Sequence, residues 1–377
     1  MSLFESLYRD GAAMIVLASL LIWLYLFFAH GRFWQSAPQL PAAAPPECPD
    51  VDIVVPARDE AHIIGEVIGS LLAQDYGGRF RVILVDDSSS DGTAALAGTA
   101  ANLTVISLQS KPAEWSGKLW ALSQGVAAGR SPLLLLTDAD IVHDPRHLSS
   151  LVAKLLESQA QMVSEMVRLN CTSLAERALV PAFVYFFQML YPFRRVNDPR
   201  SSVAAAAGGT VLIRREALQR IGGIDAIKNS LIDDVALAKA VKKCGAIFLG
   251  HSALAASIRR YPTFADIWHM ISRTAFTQLR HSAALLALTL IALTVVWLVP
   301  AAAILFGHRR QFFFGLAAFT LAGVSYLPTL ARYRRSFLWT LALPLIALFY
   351  MAATAGSAVN HWLGQGARWK SRAYGSG

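Results

Sequence analysis

Long apolar stretches at both ends of the chain enclose a segment with mixed patterning. Residues 11–29 are uncharged and long enough to cross a bilayer, and three further apolar runs cover residues 283–306, 312–330 and 338–359. The run at 11–29 has no small-residue cleavage site before Arg32, so we expect it to be retained as an anchor. This pattern predicts a membrane anchor over residues 1–30 and about three transmembrane helices over residues 283–360.

Short apolar runs alternate with helical periodicity in the first part of the enclosed segment. Four strands are predicted at residues 51–56, 81–85, 105–108 and 133–136. Helices are predicted at residues 61–73, from 93 onward, at 118–128 and at 146–156. Four such alternations are typical of a doubly wound α/β layer.

The remaining segments complete the predicted organisation. Residues 31–50 are rich in proline and form a stiff linker, and residues 51–282 form the α/β domain together with interfacial helices. Within that domain we expect an aromatic helix at 182–191, a helix at 232–241 and an amphipathic segment at 261–279. Residues 361–377 form a basic tail.

Composition and charge support a membrane protein that does not bind nucleic acid. The mean hydropathy is +0.43. The net charge is +9, and residues 283–377 carry eight Lys and Arg residues and no acidic residue. A basic surplus in the membrane part predicts attraction to anionic lipids. Three scattered cysteines without metal spacing fit a reducing compartment.

The positive-inside rule places the 51–282 domain in the cytoplasm and the N-terminus outside. Arg332, Arg334 and Arg335 agree with this topology, whereas residues 308–310 and the basic tail fall on the opposite side. We therefore expect a multi-pass membrane protein with its α/β domain facing the cytoplasm. Whether all three late runs cross fully, or the rule fails here, stays open.

The sequence Leu-Leu-Leu-Leu-Thr-Asp-Ala-Asp at residues 133–140 is the strongest chemical signal. The leucines predict a strand buried on both faces, and in extended backbone Asp138 and Asp140 would point to the same side. Two carboxylates beyond the end of a parallel strand repel each other unless a cation lies near them. A hard divalent ion such as Mg²⁺, shared with phosphate oxygens, suits this position.

Two further motifs follow neighbouring predicted strands. They are Val-Pro-Ala-Arg-Asp-Glu at residues 55–60 and Val-Asp-Asp-Ser-Ser-Ser-Asp-Gly-Thr at residues 85–93, and the dinucleotide fingerprint GxGxxG is absent. Three polar motifs at carboxyl ends of strands predict one acidic crevice that could meet a nucleobase, ribose hydroxyls and a metal-bound pyrophosphate. Gly208 and Gly209 would allow a ligand to approach the backbone closely.

These motifs, together with Gly117-Lys118, Gly-Gly-Thr at 208–210 and Ile-Asp-Asp at 232–234, resemble the inverting glycosyltransferases of family 2, which have a GT-A fold. The resemblance implies a GT-A domain inserted between transmembrane helices. The segments Arg-Thr-Ala-Phe-Thr-Gln-Leu-Arg-His-Ser at 273–282 and Arg-Trp-Lys-Ser-Arg-Ala-Tyr at 368–374 are similar to the hopene-associated glycosyltransferases of bacterial hopanoid clusters.

The resemblance implies roles for individual residues. Asp234 would act as general base, and Asp233 stands where a glutamate is more usual. Asp140 would coordinate Mg²⁺ or Mn²⁺, and Asp138 would contact the sugar-nucleotide, a UDP-sugar. Pro56, Arg58 and Glu60 would border the uridine, and Asp86 would meet the base or ribose.

Two basic residues have two possible interpretations each, a contact with the substrate or an ordinary surface role. Lys118 is either a donor contact or a solvated helix start. The processive members carry a QxxRW motif that this chain lacks, which favours single transfer over polymer synthesis. Arg273 lies near that place and would neutralise the diphosphate, or it would serve as an interfacial anchor. His62, His143 and His147 lack metal-ligand spacing and are expected to be structural.

The preferred interpretation is a membrane-bound enzyme that transfers one sugar from a nucleotide-sugar to a membrane lipid, with a role in hopanoid biosynthesis. Within enzymes, a polyprenyl-phosphate sugar transferase is the alternative. A non-catalytic nucleotide-sugar-binding membrane component is the alternative from another class. Against it, the carboxylates expected for a metal and a base are all present in the sequence.

Overall fold

The computed structural model describes residues 3–36, 38–364, 368–369 and 372–373. The chain divides into two compact units. The helical unit comprises Met1–Ser36, Cys171–Pro192 and Tyr261–Gln365, and the α/β unit comprises Ala37–Asn170, Phe193–Arg260 and Gly366–Gly377. Residues 171–192 and 261–282, which lie inside the predicted 51–282 domain, thus group with the long apolar helices.

Ten strands are present in the described part of the chain. In order they are β1 Val51–Ala57, β2 Phe80–Asp86, β3 Leu103–Ser107, β4 Leu133–Thr137, β5 Ile141–His143, β6 Met162–Arg168, β7 Thr210–Arg214, β8 Ile247–Ser257, β9 Arg368–Trp369 and β10 Arg372–Ala373.

Fifteen α-helices accompany them in the same residues. The helices up to α9 are α1 Leu3–Phe28, α2 Ile64–Leu72, α3 Thr93–Leu96, α4 Gly117–Ala128, α5 His147–Glu157, α6 Leu174–Leu190, α7 Phe193–Asn197, α8 Arg215–Arg220 and α9 Asp233–Lys242. The others are α10 Phe264–Ser272, α11 Ala275–Gln278, α12 Ala283–Leu293, α13 Val299–Phe306, α14 Arg309–Arg332 and α15 Leu343–Trp362.

The α/β unit is built on one mixed sheet of eight strands in the order β3-β2-β1-β4-β7-β6-β8-β5. The first four strands pair in parallel, as the alternation of strand and helix predicts. β7 runs antiparallel to both β4 and β6, and β5 runs antiparallel to β8. The four strands predicted from the sequence are therefore confirmed, and the sheet is extended by four strands that the apolar pattern did not identify.

The central strands are apolar because helices cover the sheet. All seven residues of β1 and all five of β4 are buried. Helix α2 packs Ile64, Val67, Ile68 and Leu71 into the same core, and α5 adds Leu148, Leu151, Val152 and Leu155. On α4, a Cβ at Gly125 would lie 2.3 Å from Val54 Cγ1, so glycine allows this helix to approach β1 closely.

The helical unit contains four helices with the length and apolar composition of membrane spans. They cover Gly11–Phe28, Ala283–Phe306, Arg309–Arg332 and Phe337–Trp362. A π-helical turn at Thr294–Leu298 joins α12 to α13, and a 3₁₀ turn at Phe337–Ala342 precedes α15. The four apolar runs found in the sequence are therefore helices of spanning length.

Candidate active site

The carboxyl ends of β1, β2 and β4 lie side by side because these strands pair in parallel. Ala57 is opposite Asp86, and Val54 is opposite Leu136. The polar motifs that follow the three strands therefore meet at one edge of the sheet, where open α/β sheets bind their ligands.

Lys118 holds two of the predicted site carboxylates together. Its Nζ lies 2.9 Å from Asp138 Oδ1 and 3.0 Å from Asp233 Oδ2. Burial opposes the charge on this amine, but Asp138 and Asp233 outweigh burial and raise the pKa of Lys118 well above its usual value. The lysine is therefore a cation that joins the start of α4, the end of β4 and the start of α9.

Asp234 lies next to this group, and its carboxyl has both backbone hydrogen bonds and a raised pKa. Its Oδ2 accepts a hydrogen bond of 2.9 Å from the backbone N–H of Gly208, and its Oδ1 accepts one of 2.7 Å from Val235 N–H. Burial and the neighbouring charge of Asp233 raise the pKa of Asp234 to about 7. Lys118 and the two N–H donors oppose this rise.

Gly208 and Gly209 bring the start of β7 close to this carboxylate. A Cβ at Gly208 would lie 3.2 Å from Asp234 Oδ2, and one at Gly209 would lie 3.1 Å from Val167 Cγ2. The absence of side chains at both positions lets the backbone of residues 207–210 run between α9 and β6. The close backbone approach is thus to Asp234 itself.

Glu60, Asp140 and Arg259 form a second group, and sequence reasoning gave Arg259 no role in the site. Arg259 Nη2 donates to Glu60 Oε1 at 2.6 Å, and its Nε donates to Asp140 Oδ2 at 3.2 Å. Ser257 Oγ donates to the same Asp140 oxygen at 2.7 Å. Arg259 follows β8, a strand that the sequence analysis did not predict, so no signal placed it beside Asp140.

Arg58 and Asp86 lie at the ends of β1 and β2. Arg58 Nη1 donates to the backbone carbonyl of Asp87 and lies 3.6 Å from Asp87 Oδ2. Asp86 accepts a hydrogen bond from the Ser89 hydroxyl. Pro56 is buried in β1 and lines the cleft described below. Asp87, which is fully buried, therefore orients Arg58 and is an addition to the predicted set.

The geometry of the Asp138–Asp140 turn differs from the prediction. β4 ends at Thr137, and Ile141 N–H bonds to Asp138 O across a turn, so the alternation of extended backbone does not apply. The two carboxylates instead have separate cationic partners, Lys118 and Arg259. Burial raises the pKa of Asp138, against the charge of Lys118, and the nearby Asp140 contributes to the increase.

The donor set suits a divalent ion that takes most of its ligands from substrate and water. Among the described residues, no group of three or more His, Cys, Asp or Glu side chains is arranged to hold a metal. Mg²⁺ commonly binds through one or two carboxylates and completes its shell with phosphate oxygens and water. Asp140, with Asp138 beside it, fits Mg²⁺ or Mn²⁺ in that manner.

A small cleft lies beside Lys118, Asp138 and Asp234. It is lined by Pro56, Lys118, Leu119, Leu122, Leu136, Thr137, Asp138, Gly208, Val211, Ile224, Ile227, Asp233, Asp234 and Leu237. Its floor is apolar, and its charged groups are those of the lysine-linked carboxylates. Arg273, the remaining predicted site residue, follows α10 in the helical unit and is exposed.

A comparison with protein families identifies the same region. Residues 52–222 match Glycosyl transferase family 2, which is a little under half of the chain. The match begins in β1 and ends just after α8, so it contains the three polar motifs and both glycines, while Asp233, Asp234 and Arg259 lie beyond it.

Two curated relatives match in part. Dodecaprenyl-phosphate galacturonate synthase of Rhizobium johnstonii is 30% identical over 115 residues, which is 28% of this chain and 32% of that protein. 4,4'-Diaponeurosporenoate glycosyltransferase of Staphylococcus aureus is 25% identical over 194 residues, half of each chain. The chain thus spans between a third and a half of the length of these relatives.

A solved structure resembles the chain over nearly its whole length. The mannosyltransferase PcManGT of Pyrobaculum calidifontis, in complex with GDP-Man and Mn²⁺, has a TM-score of 0.56 at 19% identity, covering 93% of this chain and 99% of that one. At this identity the likeness concerns the fold. Together with the mixed sheet, this likeness shows a GT-A fold. Residues 52–222 are similar to Glycosyl transferase family 2.

Proposed function

We propose that this protein is a membrane-anchored inverting glycosyltransferase that moves one sugar from a nucleotide-sugar donor to a membrane lipid, with Asp234 as general base. One observation carries the proposal. The Asp234 carboxyl, whose pKa is raised to about 7 by burial and by the charge of Asp233, lines the cleft. It lies beside the Asp138 and Asp233 carboxylates that Lys118 joins, and of these three aspartates Asp138 lies within the family match. A base with that pKa is half deprotonated near neutral pH and is still basic enough to take a proton.

The transfer is a single displacement at the anomeric carbon. The acceptor oxygen forms a bond to that carbon while the bond from the carbon to the diphosphate oxygen breaks. The hydroxyl proton passes to Asp234, and the bonding electron pair leaves with the nucleoside diphosphate. Attack opposite the leaving group inverts the configuration of the sugar.

The other residues of the site hold the donor in this scheme. Pro56, Arg58, Glu60 and Asp86 border the nucleoside of a UDP-sugar, and Lys118 and Asp138 contact the sugar-diphosphate. Bound Mg²⁺ or Mn²⁺ at Asp140 would neutralise charge that develops on the leaving diphosphate. Asp233 keeps Lys118 in place and, through its own charge, keeps the pKa of Asp234 high.

The acceptor is proposed to be a lipid because four helices of the chain have the length of membrane spans. We place the protein in the bacterial inner membrane with its α/β unit facing the cytoplasm, where nucleotide-sugars are found. The basic C-terminal part and Arg273 would face anionic lipid head groups. The hopanoid assignment is supported only by the local resemblance of residues 273–282 and 368–374, and of the latter the structure describes residues 368–369 and 372–373.

Lipid analysis tests the function directly. Lipid extracts from cells with and without the protein should differ by one hexose or related sugar on a single lipid class, measured by mass spectrometry. NMR of the isolated product should show the anomeric configuration opposite to that of the donor. A retained configuration would overturn the mechanism, and an unchanged lipid profile together with donor binding would favour a non-catalytic binding component.

A polyprenyl phosphate is the second candidate acceptor, favoured by the similarity to dodecaprenyl-phosphate galacturonate synthase. A phosphate acceptor is already ionised and needs no strong base. Transfer to a polyprenyl phosphate that survives Asp234→Asn would support this candidate, whereas transfer to a hydroxyl lipid that requires Asp234 supports the first.

A further inference from the structure

A chain of buried polar side chains leads to Thr137, the last residue of β4, which lines the cleft next to Asp138. Glu165, His147, His143 and Thr137 are each at most 3% exposed. They come from β6, α5, β5 and β4, so four separate elements contribute one member each. The proposed transfer mechanism uses none of them, and the sequence analysis expected both histidines to be merely structural.

The four side chains are linked by successive hydrogen bonds. Glu165 Oε2 lies 2.7 Å from His147 Nε2, and the two Nδ1 atoms of His147 and His143 lie 2.8 Å apart. His143 Nε2 lies 3.1 Å from Thr137 Oγ1. Thr137 Oγ1 in turn lies 2.8 Å from the backbone carbonyl oxygen of Gly209.

Counting protons fixes the direction of the bonds from His147 Nδ1 to the carbonyl oxygen of Gly209. A carbonyl oxygen only accepts, so the Thr137 hydroxyl must donate to Gly209 and therefore accepts from His143 Nε2–H. Burial, and next to it the neighbouring His147, keeps the pKa of His143 well below its usual value, so its Nδ1 is unprotonated and accepts from His147 Nδ1–H. One proton then remains between His147 Nε2 and Glu165 Oε2.

The carbonyl at the end of this chain joins the two halves of the active site. Gly209 O accepts from Thr137 Oγ1 and also from the backbone N–H of Asp138, at 3.3 Å. Gly208, the preceding residue, donates its N–H to Asp234 at 2.9 Å. The peptide segment 208–209 is thus bonded on one side to the donor-contact aspartate and on the other to the proposed base.

We infer that Glu165, His147 and His143 are positioning residues for sugar transfer, which act through Thr137 on the Gly208–Gly209 segment to fix the spacing between Asp138 and Asp234. This inference rests on the proposed function. The directed chain allows only one orientation of the Thr137 hydroxyl, so the carbonyl of Gly209 is held at a single point. A fixed carbonyl keeps the distance between Asp234 and Asp138 constant, and the rate of a displacement depends steeply on the placement of such groups.

Glutamine at position 165 provides the sharpest kinetic test. In Glu165→Gln the side-chain amide can donate to His147 Nε2 in place of the proton shared with Glu165. The bonds from His147 to His143, Thr137 and Gly209 then keep their directions. In Glu165→Leu that partner is lost and the orientation of both imidazoles is no longer imposed. We expect kcat for sugar transfer to fall roughly 10–100-fold in Glu165→Leu, because misplacing reacting groups by about 1 Å can cost about 10²-fold in rate. Donor KM should change by less than about threefold, and Glu165→Gln should keep most of the wild-type kcat.

A second pair of variants cuts the chain at its other end. Thr137→Val keeps the shape of the side chain and removes its hydroxyl, and Thr137→Ser restores the hydroxyl. The kcat loss in Thr137→Val should match that in Glu165→Leu, and the double variant should lose no more than either single variant, because both break the same chain. This pair retains the test if Glu165→Leu does not fold.

Asp52→Leu provides a matched control for the loss of a buried carboxylate. Asp52 is 1% exposed, lies near the amino end of β1, and bonds to Arg81, Arg215 and Ser131 N–H. If Asp52→Leu and Glu165→Leu lose similar thermal stability, the folded Asp52→Leu protein should still have the kcat of the wild type. Equal kcat losses in Asp52→Leu and Glu165→Leu would overturn the positioning role, and so would multiplied losses in the double variant at positions 137 and 165.

Spectroscopy separates a failure of this inference from a failure of the proposed function. ¹⁵N NMR of histidine-labelled protein in lipid nanodiscs should show His143 protonated at Nε2 only and His147 protonated at Nδ1. The opposite tautomer at His143 would overturn the inference whatever the enzyme catalyses. A normal tautomer pattern with full kcat in Thr137→Val would also overturn it, although the role of Asp234 would stand if Asp234→Asn remained inactive.

Discussion

Asp234 provides the clearest prediction at the scale of a single residue, through the pH dependence of transfer. Because burial and Asp233 raise its pKa to about 7, the carboxyl is largely protonated below that pH and cannot accept a proton. The rate should therefore rise with pH through about 7 and level off above it, falling about tenfold per pH unit well below. The measurement is kcat/KM between pH 5 and 9 in constant ionic strength.

Asp233→Asn provides the matched variant for this profile. The substitution removes the negative charge that raises the pKa of Asp234, so the decline in rate at acidic pH should begin at a lower pH. A profile that stays flat down to pH 5 in the wild type would contradict the assignment of Asp234 as base.

Gly208 tests the close approach of backbone and carboxylate. A Cβ at this position would lie 3.2 Å from Asp234 Oδ2, so Gly208→Ala must displace the carboxylate or the strand by a few tenths of an ångström. We expect kcat to fall by up to roughly 100-fold while the protein still folds. Gly69→Ala on α2 is the control, since a Cβ there has no neighbour within 4 Å. Similar kinetics for the two alanine variants would disprove the steric argument.

The sequence predicted the acidic residues of the proposed site and also Lys118, but it did not predict which basic residue pairs with each carboxylate. Asp138, Asp140, Asp233 and Asp234 follow recognisable strand ends or begin a helix, so their chemistry is visible in the order of the chain. Arg259 bonds to Asp140 across a separation of 119 residues, and no local pattern encodes that contact. The sequence left two roles open for Lys118, because its ion pairs with Asp138 and Asp233 depend on where the tertiary fold places α4 and α9.

At the scale of elements, the turn after β4 predicts a dependence on a divalent ion. Asp140 offers a carboxylate next to Asp138, and its Arg259 partner would compete with a metal for the same oxygen. Asp140→Asn should abolish transfer, with a loss of at least about 100-fold, and chelation should do the same to the wild type. The measurement is transfer with excess EDTA, followed by rescue with Mn²⁺ or Mg²⁺. Full activity in EDTA would remove the metal from the account.

The elements that the sequence predicted correctly are those with a clear apolar run or a clear helical repeat of apolar residues. β1 to β4 each contain a short apolar run and alternate with helices, so their existence and parallel pairing could be inferred. β6 was missed because it carries Ser164 and Glu165, which are fully buried and make the run look amphipathic. Those residues are buried because partners on other elements bond to them, and such bonds are set by the tertiary fold.

At the scale of the whole molecule, the charge distribution predicts a dependence on anionic lipid. Residues 283–377 carry eight basic residues and no acid, and three of these, Arg368, Lys370 and Arg372, belong to the tail. Lys370 lies outside the described residues, and so do parts of the segment around it. Replacing the three with glutamine should weaken transfer to a lipid acceptor by up to roughly 100-fold, since each basic residue near the surface contributes about 1 kcal/mol.

Donor hydrolysis by the same variant is the control for the tail prediction. It should be unchanged, because water replaces the lipid as acceptor and the donor site is intact. Vesicles with and without phosphatidylglycerol would show whether the loss follows lipid charge. Equal losses in transfer and hydrolysis would indicate a folding defect and contradict the lipid role.

The central claim is that Asp234 accepts the proton of the attacking hydroxyl, and Asp234→Asn tests it most directly. The substitution keeps the size of the side chain and removes its charge, so donor affinity should stay nearly constant. Because the amide can accept only one of the two backbone N–H bonds that Asp234 accepts, the folded fraction is measured alongside the rate. The measurement is the single-turnover rate of sugar transfer to a hydroxyl lipid at saturating donor. We predict a fall of about 10²–10⁴-fold relative to the wild type, and a rate within a few-fold of the wild type would contradict the account.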